Sequence, residues 1–358
     1  MSEGSLEFVI PGDLQTPTGG YGYDRRIIGG LRALGWRVAV HALDAGFPHP
    51  SDTALAKARD LFARLPDRAL VLIDGLASGA MPQVLETHGT RLRLLALVHH
   101  PLAAETGLDP ALARALEQSE WRSLQAVRHV IVTSDATKRA LAAYAVAPGR
   151  ISVVEPGTDA APLARPHRAD ALRMLCVAAL IPRKGHDLLF EALAPLAHTR
   201  WSLVCAGSLT RSADTVQRLR AQLRRLGLTQ RVTLAGEVDA ATLGQLYRDA
   251  DLFILPSRME GYGMAVAEAL AHGLPVIGTH TGAIAQLLGT RAGLLVEPGD
   301  TGRLREALAR VLGEPALLTA LRGGAAAVRG TLPDWSHCCE RMSRILEQAA
   351  ATGRGGSP

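Results

Sequence analysis

Residues 260–268 read EGYGMAVAE, two carboxylates eight positions apart with two glycines beside the first. The preceding DLFILP reads as a buried strand ending near Pro256, and the apolar run after it reads as a helix from about Gly263 to Gly273, a glycine of the C-terminal kind. Free first-turn N–H groups of such a helix can bind a diphosphate. Helical rise carries Glu268 about 7 Å along the axis from Gly263, while Glu260 sits on the loop before it. The two carboxylates therefore suit separate parts of one elongated ligand.

A second stretch, IPRKGHDLLFEAL, sets Arg183 and Lys184 at the start of a helix. Two cations there oppose the helix dipole, so an anion is expected to supply the compensating charge. Of 39 basic residues only three are lysines, Lys57, Lys138 and Lys184, which makes the point charge at 184 stand out. In HHPLAAETG, His99 and His100 emerge at the end of a strand, where a histidine can bond a hydroxyl, steady developing charge or simply cap a loop. In PGDLQTPTGGYGYDRR, Gly19 and Gly20 precede a helix expected from about Tyr23, and would let backbone N–H groups approach an anion or merely form a turn. Gly22, Gly29 and Gly30 read as packing or flexibility positions. No His, Cys or carboxylate set stands at ligand spacing, so no metal is expected. A nicotinamide fingerprint is missing: there is no GxGxxG, and Asp44 lies beyond the second strand, which ends at His41.

Strands separated by helix-length segments must position these residues. The first half offers LEFVI, WRVAVH, ALVLID, RLLALV, HVIVTS and RISVVE; the second offers RMLCVA, WSLVCA, RVTLAG, DLFILP, PVIGTH and GLLVEP. Six aliphatic runs per half, alternating with helices, predict an α/β protein of two doubly wound parallel sheets. Its 358 residues also exceed what one core usually serves. GTDAAPLARPHRADA, residues 157–171, breaks the periodicity and excludes a single barrel. The expected domains are 1–160, 161–332 and a terminal helix over 333–350 that returns to the first domain. Ligands of open α/β sheets sit beyond the carboxyl ends of the strands, so two such domains face a ligand across a cleft.

Hydrophobic residues make up 47% and charged residues 20%, ordinary globular usage, with only the tail GRGGSP expected to fray. An acidic N-terminus with a strand-length apolar run lacks the form of a secretion signal, and no run is long enough to span a bilayer. Cys176, Cys205, Cys338 and Cys339 have no CxxC spacing and read as reduced thiols, which favours the cytoplasm. A net charge of +5 with 4% aromatics and scattered arginines argues against nucleic acid and allows a weak peripheral contact with anionic membrane surfaces.

EGYGMAVAE resembles the E-x7-E element of retaining glycosyltransferase family 4, whose members pair two Rossmann-like domains in the GT-B arrangement. The resemblance continues in TPTGG, HHPL, VVEPGTD, PRKGHD, LPSRMEGYG, THTG and LLVEPGD, in that order along nearly the whole chain. It implies that Lys184 and Arg183 neutralise a donor diphosphate, that Glu260 holds hydroxyls of the transferred sugar, and that Gly261, Gly263 and Met264 meet sugar and phosphate. Glu268 would bind the ribose, Gly19 and Gly20 would admit donor and acceptor, and His99 would lie near the reacting sugar. The family generally needs no metal in this site. Two departures stand out: Ala178 and Ala179 replace a common Gly-Arg, leaving Arg183 to compensate, and Gln286 in THTGAIAQ stands where an acid is common, with Thr281 and Gly282 as further donor-site candidates.

The resulting expectation is a retaining hexosyltransferase using a nucleotide sugar, UDP-sugar favoured and GDP-mannose the alternative, on an unidentified small-molecule or lipid acceptor. A nucleotide-sugar epimerase and a silent nucleotide-sugar-binding protein are the rivals. Paired carboxylates also suit a glycoside hydrolase, which the cationic diphosphate elements fit poorly, and a dehydrogenase ranks last.

Overall fold

The computed structural model describes residues 4–165 and 171–351; residues 166–170, within the stretch 157–171 that interrupts the strand pattern, and the tail GRGGSP lie outside the described residues. The chain divides into two compact units. Unit 1 runs to Gly157 and resumes at Pro333, and unit 2 spans Thr158–Leu332.

All twelve expected strands form. In unit 1 they are β1 (Ser5–Pro11), β2 (Arg37–Leu43), β3 (Leu70–Asp74), β4 (Arg93–Val98), β5 (His129–Val132) and β6 (Ile151–Val153), in the order β2-β1-β3-β4-β5-β6. In unit 2 they are β7 (Leu172–Val177), β8 (Trp201–Ala206), β9 (Val232–Gly236), β10 (Leu252–Leu255), β11 (Val276–Thr279) and β12 (Gly293–Val296), in the order β12-β11-β10-β7-β8-β9. Every paired ladder is parallel. Helices cover both faces of such sheets, which is why the central strands read as unbroken aliphatic runs: β3 and β10 are buried along their whole length. Strand order reverses between β1 and β3 in unit 1 and between β7 and β10 in unit 2, and loops leaving those strand ends splay apart to open a crevice.

Two sequence expectations change. The first helix spans Gly19–Ala33 rather than starting near Tyr23, because the Thr18 hydroxyl accepts the Tyr21 N–H and caps the helix there. Gly19 and Gly20 thus form its first turn. Of the three glycines read as packing positions, only Gly30 meets another element closely: a Cβ there would lie 2.1 Å from Cys339 Sγ, whereas Gly29 has nothing within 4 Å.

That neighbour belongs to the terminal helix, Trp335–Ala351, which lies within unit 1. It buries Cys338, Cys339, Met342, Ile345 and Leu346. Trp36 Nε1 donates to Ser343 Oγ at 2.9 Å, and the Arg26 guanidinium lies 5.0 Å from the Trp335 ring centre. All four cysteines are free and buried.

Adjacent glycines of one helix should therefore respond oppositely. Gly29→Ala should stabilise unit 1 by about 0.5–1 kcal/mol through helix propensity. Gly30→Ala should destabilise it by about 1–3 kcal/mol through overpacking against Cys339. Urea denaturation of the two variants beside the parent checks both signs.

Candidate functional site

The chain after β7 passes through Pro182–Lys184 to the helix His186–Leu193, and the chain after β10 passes through residues 256–263 to the helix Met264–Ala271. Both loops leave strands flanking the unit 2 switch point, and they are tied to each other. Gly185, at φ +69°, is pressed so close to the Pro256 carbonyl that a Cβ would lie 2.1 Å from its oxygen. The Arg258 N–H donates to the Arg183 carbonyl at 2.8 Å. The Arg258 guanidinium grips the Asp187 carboxylate through both nitrogens, at 2.9 and 2.7 Å.

This tie places Lys184 Nζ 2.5 Å from Glu260 Oε1, with the side chains only 17% and 8% exposed. Ser257 Oγ donates to the same carboxylate oxygen at 2.6 Å, and Arg183 Nη1 lies 3.9 Å from Oε2 while donating to the Met259 carbonyl at 3.0 Å. The anion that compensates the paired cations here is Glu260 itself. Burial would raise the Glu260 carboxyl, but Lys184 and Arg183 outweigh it and hold it below its ordinary value. Burial likewise draws the Lys184 ammonium down, with Glu260 opposing. Ala178 and Ala179, just past β7, bring no cation to this cluster.

Thr281 and Gly282 brace the Glu260 loop from the end of β11. Thr281 Oγ1 accepts the Glu260 N–H at 3.0 Å, and a Cβ on Gly282, at φ +57°, would lie 2.7 Å from the Glu260 carbonyl and 2.9 Å from that of Gly261. Gly263 turns the chain into the helix at φ +102°, a conformation other residues rarely adopt, and no side chain caps that helix start. The Val266 and Ala267 N–H groups already donate to the Gly263 carbonyl, at 2.9 and 3.2 Å, which leaves those of Met264 and Ala265 to meet an anion. Glu268, further along the helix, accepts the Tyr247 hydroxyl at 2.9 Å, and burial raises its carboxyl against that bond. The helix closes as its sequence implies, with Gly273 at φ +71° and its N–H on the Leu270 carbonyl.

In unit 1, Gly19 and Gly20 follow β1, and His99 follows β4. A Cβ on Gly20 would touch the His99 ring at 3.4 Å. Two carboxylates that sequence reading passed over converge on this ring: Asp24 Oδ1 lies 3.7 Å and Asp74 Oδ2 3.6 Å from His99 Nε2. One imidazole nitrogen of His99 and one carboxylate oxygen from each aspartate all lie within 4.8 Å of one another. Asp74 ends β3, and Gly75 beside it lets that strand end approach β4: a Cβ there would lie 3.0 Å from the Leu97 carbonyl. A signal was present in the sequence, since ALVLID ends a strand on an acid and Asp24 stands one helical turn after Gly20. His100 is engaged elsewhere, 4.0 Å from Glu105.

Comparison with known proteins assigns each unit. The family described as Glycosyltransferase Family 4 matches residues 25–161, and that described as Glycosyl transferases group 1 matches residues 171–314. D-inositol 3-phosphate glycosyltransferase 1 of Catenulispora acidiphila is 31% identical over 254 residues, covering 64% of this chain and 59% of that protein. The match thus spans under two thirds of that relative's length. Among solved structures, sucrose-phosphate synthase from Thermosynechococcus elongatus superposes with TM-score 0.81 at 22% identity, covering 97% of this chain and 100% of that one. Anabaena Alr3699/HepE in complex with UDP and glucose gives 0.73 at 18% identity, covering 96% and 99%. At these identities the two structures speak for the fold, two Rossmann-like units of the GT-B class. With a family match on each unit and the E-x7-E helix at the unit 2 switch point, the chain belongs to the family 4 type of glycosyltransferases.

Proposed function

We propose that the chain is a retaining hexosyltransferase that moves a sugar from a nucleoside diphosphate to an acceptor hydroxyl. One observation carries this reading: the buried Lys184–Glu260 pair, with Arg183 beside it and the uncapped Met264 helix after it, at the switch point of unit 2. As the sugar–phosphate bond breaks, the departing diphosphate gains negative charge. Fixed cations and N–H dipoles in a site of low dielectric stabilise that charge without reorganising. Glu260, held ionised, accepts hydroxyls of the sugar, and Glu268 accepts those of the ribose.

Neither glutamate is free to act as a nucleophile, since each serves a different end of the donor. We therefore assign front-face substitution: the acceptor oxygen bonds to the anomeric carbon on the side the phosphate leaves, and a leaving phosphate oxygen takes the acceptor's proton. The chain supplies the cations this step requires, so we assign no metal to the donor site. A UDP-glucose-like donor is favoured because the Anabaena neighbour is described with UDP and glucose; GDP-mannose is the alternative. The acceptor is a small molecule or a lipid. Among the described residues no helix is long and apolar enough to cross a membrane, and the net charge of +5 suits a cytoplasmic enzyme in weak peripheral contact with an anionic surface.

Screening nucleotide sugars for thermal stabilisation, then following nucleoside diphosphate release and product mass in a cell extract, tests the activity. Stabilisation by UDP-glucose with UDP released only when acceptor is supplied is the expected result; deuterium entering the sugar from solvent would indicate an epimerase instead. Lys184→Ala and Glu260→Ala should each lower turnover by roughly tenfold or more, with circular dichroism retained. Full activity in either variant would sink the assignment. Glu268→Gln should instead raise KM for the donor more than it lowers kcat, as expected of a contact kept through the reaction. Because burial lowers Lys184, the alkaline limb of kcat/KM should fall below the ordinary lysine range.

A further inference from the structure

The cluster around His99 has an electrostatic problem of its own. Asp24 is fully buried and neither carboxylate oxygen has a hydrogen-bond partner. Asp74 is 2% exposed, with Oδ1 accepting the Leu76 N–H at 2.8 Å and Oδ2 facing His99. Uncompensated buried carboxylates are costly, yet both aim at one ring nitrogen. The ring is held from several sides: the Gly20 backbone lies against the edge bearing Nε2, Tyr23 meets the ring edge-on at 5.5 Å, and the Thr137 hydroxyl donates to the His99 carbonyl at 3.1 Å. Nε2 is closed off from solvent, while the side chain as a whole keeps 21% exposure.

We propose that Asp24 and Asp74 are positioning residues whose two buried carboxylates flank the protonated Nε2 of His99 as ion-pair partners, so that His99 meets a ligand through Nδ1 as a charged hydrogen-bond donor and never as a base. A neutral ring with its proton on Nε2 would present Nδ1 as an acceptor; the imidazolium presents Nδ1–H. His99 then offers positive charge to a sugar or phosphate oxygen, and the acceptor's proton must leave by another route. The contact with a sugar substrate rests on the glycosyltransferase reading above; the charge state does not.

Charges on the neighbouring elements agree. Burial alone would lower His99, but Asp24 and Asp74 outweigh it and push the imidazole up to about 10. Burial and the like charge of Asp74 raise Asp24, with His99 and Arg25 opposing, to about 6, so the carboxylate is ionised at pH 8. Tyr23 donates to the Val154 carbonyl and its hydroxyl is pushed further up by burial and by Cys338 of the terminal helix, so it stays neutral. His100, beside His99 in the chain, faces Glu105 instead. The sign for stability follows: a raised imidazole contributes fully below about pH 6.5 and its contribution is lost as pH rises through about 10.

Nitrogen-15 NMR of the imidazoles in the full chain, without substrate, is the test, with the His99 signal identified by its loss in His99→Gln or by its contact with the Tyr23 ring. At pH 8 both His99 nitrogens should show protonated shifts, with a midpoint above pH 9, about 2.5 units above an ordinary histidine. In Asp24→Asn and Asp74→Asn the midpoint should fall by at least about one unit each; if one variant does not fold, the other and the parent titration still decide. A His99 that is neutral at pH 8 in the parent overturns the proposal. So does line broadening of His99 by micromolar Mn²⁺, which would mean that the carboxylates hold a cation in place of the ring's proton. Because no nucleotide sugar is present, an inactive protein leaves this readout intact, and failure here leaves the donor-site assignment standing.

Discussion

An ammonium and a carboxylate 2.5 Å apart, both nearly shut off from water, constrain everything around them in unit 2. Each group alone would be costly to bury, and neither can be moved without stranding the other. The loops carrying them must therefore leave adjacent strands at the same end of the sheet, which the reversal of order at β7 and β10 provides. They must also approach backbone to backbone, which is why Gly185 and Gly282 stand where any side chain would strike a carbonyl. Arg258 and Asp187 lock the same two loops from outside the pair. The donor site proposed for this cluster is preorganised in that its charges are set before any ligand arrives.

Unit 1 solves the mirror problem at its own switch point. Two cations surround one carboxylate in unit 2; two carboxylates surround one imidazole in unit 1. In both, the central group is the one that cannot titrate freely, because the pair flanking it outweighs its desolvation. Parallel sheets favour this arrangement, since strand ends collect chemistry from segments far apart in sequence without exposing the sheet to water.

Legibility in the sequence followed the range of the interactions. Aliphatic runs with helix-length spacing disclosed every strand of both sheets, because burial on two faces leaves little choice of residue type. Glu260, Arg183 and Lys184 were visible because each sits beside a glycine or helix start whose local geometry has a signature, and Glu268 because of its spacing from Glu260. What Lys184 touches was not visible: a cation at a helix start announces an anion, and sequence alone does not tell a ligand's phosphate from a glutamate 76 residues away. Asp24 and Asp74 escaped for a related reason. An acid on a helix and an acid at a strand end look ordinary until the fold sets both against His99. The early start of the first helix was missed because the Thr18 cap outweighs the poor helix propensity of the two glycines after it.

Unit 1 begins before unit 2 in the sequence and is completed after it. Its helix at residues 335–351 is made only after all of unit 2, so a nascent chain carries an open seam along Gly30, Trp36 and Tyr23 until that helix emerges. Unit 2 is continuous in sequence and can close on itself earlier. Translation order and completion order are thus reversed, and the interval between them is when the apolar seam of unit 1 is open to chaperones or to aggregation.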